Sequence, residues 1–158
     1  MCFNGAKLWQ LGWFSGDDAL LLSENDLMNP VTVTLEGFVK PIQNGDGKTK
    51  VIKLNGPTST DLYVAFNWKT LHNAGTVEGG NQVTIVEQGG EGNGYSFSEL
   101  LVKLSAGGSF TWMGYFGTDI DLTVTVDAID TTMGEATITI STTVVPVSDM
   151  FQDRENSS

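Results

Sequence analysis

Apolar and polar residues alternate along most of this chain with a period of two. In Val31-Thr32-Val33-Thr34-Leu35-Glu36 the apolar members share one parity, which is the signature of a strand with one buried face. Leu62, Val64 and Phe66 repeat that pattern within residues 61–68, as do Val83 and Ile85 within residues 81–88. Residues 108–116, 119–129 and 135–141 alternate in the same way, and residues 50–54 read as a further strand. The turn signal Asn44-Gly45-Asp46-Gly47 precedes that last segment, so a hairpin across residues 31–54 is expected. Residues 95–104 fit either a helical turn or a strand. Gly and Asn punctuate the intervals, and together these signals predict an antiparallel β-sandwich of roughly seven to nine strands.

The opening of the chain breaks this rhythm. Ala6, Trp9 and Trp13 fall at helical spacing over residues 4–13, with Asn4 placed as an N-cap and Gly12 as a stop. The predicted class is therefore mainly β, a sandwich with a short N-terminal helix. From Val147 onward the chain turns polar, and residues 147–158 are expected to form a disordered tail.

Composition agrees with this picture. The chain has 158 residues, enough for one domain with a sizeable core; 40% are apolar, 17% are charged and 19 are glycine. Nineteen acidic residues against eight basic ones give a net charge of −11. Such a surface repels nucleic acid and anionic membrane, so neither is expected as a partner. Residues 1–20 lack the basic start and unbroken apolar run of a leader, and the longest apolar stretch, Ala19 to Leu22, is far too short for a membrane span. Cys2 is the single cysteine and has no internal disulfide partner. It reads as a half-buried thiol or, in an extracellular protein, as half of a pair completed elsewhere.

The candidate chemistry is thin. His72 is the only histidine, and zinc hydrolysis needs more imidazoles or equivalent ligands than one. It falls in a turn-like stretch without a Gly-x-Ser-x-Gly elbow, so it reads as an exposed loop residue. Residues 44–48 resemble the middle of a calcium loop, but Ile42 and Lys53 stand where its outer carboxylates belong. Asp119 and Asp121 share a strand face that reads as solvated, with a bound cation as the sharper alternative. The Gly-rich residues 89–94 lack the Lys-Ser/Thr and helix start of a phosphate cradle. Phe110 and Trp112 share one parity and are expected in the core, with Tyr115 on the other face; that leaves an aromatic sugar-binding face as an alternative.

Two long motifs carry more information. Cys2-Phe3-Asn4-Gly5-Ala6-Lys7, then Trp9-Gln10-Leu11-Gly12-Trp13, resembles the signature that follows the zinc site of gametolysin-like metalloproteases (peptidase family M11). Phe66-Asn67, Lys69-Thr70, Asn73 and Gly75 through Val83 resemble that family's stretch between two C-terminal strands. Residues 104–110 and Val126, Ile129 and Asp130 are similar to later family segments, so the resemblance runs from residue 2 to about 140. Phe14 stands where the family has Tyr, and Trp68 where a basic residue is more usual.

The resemblance implies a secreted zinc endopeptidase acting on extracellular matrix or cell-wall glycoproteins, with its zinc held by a His-Glu-x-x-His motif. That motif is absent from this chain, so no catalytic or metal residue carries over and no cofactor is expected here; zinc is implied only for a full-length family protein. Residues 1–28 would be the end of a catalytic domain and residues 29–146 the C-terminal β-sandwich. Asn4, Lys7, Trp9, Gln10, Leu11, Gly12 and Trp13 would then lie beside the substrate cleft, packed on a catalytic domain N-terminal to them. The competing expectation is a free-standing sandwich module that binds polysaccharide or glycoprotein through Trp112 or Tyr115.

Overall fold

A computed structural model describes residues 4–41, 46–56, 60–89, 97–117 and 119–145. Cys2, the Asn44-Gly45 part of the turn, most of the Gly-rich stretch 89–94 and the tail from 147 lie outside the described residues. Helix α1 (Gly5–Gln10) comes first, followed by nine strands: β1 (Ala19–Leu22), β2 (Val31–Glu36), β3 (Val51–Leu54), β4 (Thr60–Asn67), β5 (Gln82–Gly89), β6 (Ser98–Leu104), β7 (Ser109–Trp112), β8 (Ile120–Asp130) and β9 (Glu135–Val144).

The strands form two sheets, one in the order β1-β3-β4-β5-β6 and the other β2-β9-β8-β7. Their facing sides share one apolar core. Leu62, Val64, Phe66, Val83 and Ile85 enter it from the first sheet, and Leu35, Leu122, Val124, Val126, Ile138 and Ile140 from the second. These are the residues of one parity that the alternation selects. The chain is thus mainly β, with two packed sheets and one short N-terminal helix, and the ambiguous segment 95–104 supplies strand β6.

Two expectations are corrected. No hairpin joins β2 to β3, because β2 pairs antiparallel with β9 in the other sheet, from Val31 opposite Ile140 to Glu36 opposite Glu135. The chain crosses from one sheet to the other after β2, leaving a single parallel bridge, Leu35 to Thr49, at the crossing. Strand β3 then returns beside β1, which makes that pair parallel, so the sandwich is not wholly antiparallel. A buried ion pair marks the crossing. Lys50, at the start of β3, is fully buried and donates from Nζ to Glu36 Oε2 at 2.5 Å, with Lys40 bonded to Glu36 Oε1 at 2.5 Å. A buried ammonium of this kind holds only where a carboxylate and carbonyls meet it. Here the end of β2 and the Gly37 and Lys40 carbonyls supply them.

The second correction concerns Tyr115. Its ring is buried in the core, edge-on to Trp112 and to Phe116, rather than on an outer face. Its hydroxyl donates to the Leu54 carbonyl at 2.7 Å and accepts from the Leu62 amide at 3.3 Å. A buried phenol needs such partners, and burial holds it well above the usual tyrosine range. Phe110 and Trp112 pack on the core as expected.

Strand β4 departs from simple alternation, since nearly its whole length is buried. Its second face, with Tyr63 and Ala65, lies under α1, which the alternation alone does not reveal. Strand β1 also falls inside residues 1–28, hydrogen-bonded into the first sheet, and α1 packs on that same sheet.

Candidate functional site

The two long sequence motifs line one cleft, Asn4 from the first and Asn67 and Gly75 to Glu78 from the second, and each is built around side-chain amides. At the N-terminus, Asn4 caps α1 by accepting the Lys7 amide at 3.1 Å, while its Nδ2 donates to Ser98 Oγ on β6 at 2.8 Å. One side chain thus starts the helix and ties it to the sheet edge. Ala6 and Leu8 are buried, and Trp9 packs edge-on against Tyr63 with ring centroids 6.3 Å apart. Lys7 Nζ donates to Gln10 Oε1 at 3.2 Å. Gly12 closes the helix with a φ of +64°, as its sequence position predicts, and Leu11 and Trp13 on either side of it remain half exposed.

The second motif is the loop from β4 to β5. Asn67, buried at the end of β4, donates to the Glu78 and Gly79 carbonyls and accepts from Asn73 Nδ2. Asn73 also donates to the Trp68 carbonyl at 3.0 Å and accepts from Thr76 Oγ1. Asn81, with a φ of +57°, accepts the Lys69 amide at 2.8 Å and donates its own amide to the Asn67 carbonyl at 2.7 Å. The polar residues of this motif are therefore spent on bracing the loop backbone. Trp68 follows the same logic: its indole N–H donates to the Thr131 carbonyl at 2.8 Å. A Cβ at Gly134, whose φ is +69°, would come within 2.6 Å of the Trp68 ring, so no side chain fits there.

Between the two motifs lies a cleft of about 450 Å³. Phe38, Val77, Val86 and Leu100 give it apolar walls, and Asn4, Asn67, Thr76, Glu78 and Thr84 line the rest. The Asn4 and Asn67 amides are committed to the bonds described above, and Thr84 Oγ1 donates to the Ala65 carbonyl at 3.3 Å. Glu78 is held below the usual carboxylate range by its hydrogen bond to Lys103, 2.8 Å away on β6. Further along the same sheet face, Lys53 pairs with Asp61 at 2.9 Å and lies over the Tyr63 ring. Burial, followed by the Asp61 charge, pushes the Tyr63 phenol up to about 12.

Of the sequence-selected residues, Asn4, Lys7, Trp9, Gln10, Leu11, Gly12 and Trp13 form the helix and its exit, and only Asn4 lines the cleft. His72 lies exposed in the 3-10 turn Leu71–Asn73. Asp121 accepts the Gly114 amide at 2.8 Å, which gives that carboxylate a structural task in the turn after β7. The described residues contain no group of three His, Cys, Asp or Glu side chains placed to hold a metal ion. Sequence reasoning missed Val86 and Leu100, which line the cleft. For Val86 the signal was apolar residues on both parities of β5, which mark a strand covered on both faces; Leu100, on edge strand β6, had no such signal.

No family model, characterised protein or solved structure matches the chain. No helix among the described residues is long and apolar enough to cross a membrane.

Proposed function

We propose that this chain is the C-terminal part of a gametolysin-like zinc endopeptidase, secreted and directed at extracellular matrix or cell-wall glycoproteins. The observation that supports the reading is convergence: residues 4–13 and 66–83, the two stretches resembling that family, both line one cleft, through Asn4 and through Asn67 and Gly75 to Glu78. Motifs that are far apart in sequence and resemble one family by chance have no reason to meet. In this reading α1 is a joint. Its inner side, Ala6 and Trp9, holds the sandwich, while half-exposed Leu11 would pack on a catalytic domain N-terminal to it.

In this reading the chain, whose sequence has no His-Glu-x-x-His motif, hydrolyses no peptide bond on its own. Two measurements test this. Purified chain with added zinc should leave a matrix glycoprotein intact; chelator-sensitive cleavage would overturn the statement. The transcript upstream of the Met1 codon should continue in frame through a His-Glu-x-x-His motif. Stop codons directly upstream in that frame would overturn the family reading.

A further inference from the structure

Lys50 and Glu36 meet in the interior: Lys50 is fully buried, Glu36 is 2% exposed, and Lys50 Nζ lies 2.5 Å from Glu36 Oε2. Charges taken out of water carry a desolvation penalty that pairing repays only in part. A neutral, hydrogen-bonded amide made from the same two groups carries far less of it. The two residues are also fixed from both sides. The Asp18 carbonyl accepts the Lys50 backbone amide at 2.8 Å, just before β3, while Glu36 ends β2 in the opposite sheet. Lys40 Nζ stands 2.5 Å from the other carboxylate oxygen, Oε1. An amine and a carboxyl held in this way react at effective concentrations that free solutes never reach.

We propose that Lys50 Nζ and Glu36 Cδ condense within the folded chain to an isopeptide bond that joins the two sheets. Nζ first passes a proton to Oε2 along their hydrogen bond, leaving a neutral amine and a neutral acid. The amine attacks Cδ, the Cδ–Oε2 bond breaks, and Oε2 takes a second proton from Nζ and leaves as water. One ammonium and one carboxylate thus become one amide and one water, with no co-reactant. Lys40 faces the negative charge that Oε1 gathers during the attack. The product fits the same site. Oε1 becomes the amide carbonyl beside Lys40, and the Gly37 and Lys40 carbonyls, 3.4 and 3.2 Å from Nζ, stand ready to accept the remaining N–H. Only the fold brings together residues fourteen positions apart, so the ion pair comes first. Hydrogen bonds from Lys40 and Lys50 favour the carboxylate, so the neutral pair is the minor form and the bond grows in slowly after folding. A chain with a single cysteine has no internal disulfide to close this crossing, and the amide would do so instead. Nothing in this chemistry depends on the protease reading.

The test follows the intact mass of the purified full chain, held folded over several days. The chain should lose the mass of one water, and a tryptic digest should return a branched peptide joining Glu36 to Lys50, uncut after Lys50. Chain held unfolded in urea should keep its full mass. So should Glu36→Leu combined with Lys50→Met, which removes both groups without stranding a charge. An unchanged mass in the folded chain would overturn the proposal. So would an equal loss in the unfolded chain or the double variant, or a loss that the digest places elsewhere, as at an aspartyl succinimide.

Discussion

Two regions of this molecule bury polar groups, and they do it with different chemistry. At the crossing between the sheets, Glu36 takes Lys50 and Lys40, and Glu135 takes Lys48 and Lys40, so the seam is held by charge. In the loop from β4 to β5, Asn67, Asn73, Thr76 and Asn81 hold the backbone with neutral amides and a hydroxyl. The charged seam spans two sheets and titrates. The amide brace is local, within residues 67–81, and has no proton to lose. A fold that needs a distant crossing fixed and a nearby loop shaped has used the long-range interaction for the first task and short, directional bonds for the second.

The largest effect should come from breaking the seam on one side only. Glu36→Gln leaves Lys50 buried with carbonyls but no counter-charge, and should cost about 3–5 kcal/mol in urea unfolding. Replacing both partners, Glu36→Leu with Lys50→Met, should recover most of that loss, because neither charge is then left alone. If the single and double variants were equally unstable, the seam would owe its strength to shape rather than charge. Acid offers a second route to the same bond. Burial raises the Glu36 carboxyl, but its hydrogen bonds to Lys40 and Lys50 outweigh burial and leave it below its ordinary value. A lowered carboxylate contributes stability that is full above its unfolded value of about 4.3 and is lost as pH falls through the lower folded value. Asp18 beside it is raised by burial against the pull of Lys50, and it works in the opposite sense. The wild type should therefore lose stability below about pH 4, and the double replacement should flatten that part of the profile.

The amide brace should respond less, and without pH dependence. Asn67→Ala removes the donor to the Glu78 and Gly79 carbonyls and the acceptor for Asn73, at a cost of about 2–3 kcal/mol. The loss should be the same at pH 5 and pH 8, measured by the same unfolding curve. A loss that varied between those pH values would mean that the brace shares its load with titrating groups.

Much of this was legible in the sequence, and what was not has a physical cause. Alternation selected the inner faces of β2, β4, β5, β8 and β9, because one buried face forces a period of two. Asn4 and Gly12 marked the helix, because caps and stops are local chemistry. The pairing of β2 with β9 was not legible, since a turn signal speaks only for neighbours in sequence while Glu36 and Lys50 meet across sheets. Tyr115 was assigned to the wrong face because the chain leaves the strand period at Met113, where the turn after β7 begins. The cleft was hidden for a similar reason: its walls come from a helix cap, a loop and an edge strand that only the fold brings together.

The smallest expected effect asks whether the two polar regions act on each other. Trp68 reaches both, since Asn73 donates to its carbonyl and Lys40 stands 6.0 Å from its ring. Neither contact is a bond between the seam and the brace, and the indole N–H is engaged by Thr131 instead. A double-mutant cycle on Glu36→Gln and Asn67→Ala should therefore give an interaction energy within about 0.5 kcal/mol of zero, the value for sites with no shared partner. A larger coupling would locate the shared partner at Trp68, and repeating the cycle in Trp68→Ala, which removes the ring beside Lys40, should then abolish it. Independence would mean that the loop carrying the second motif can change its sequence without disturbing the crossing that holds the sandwich together.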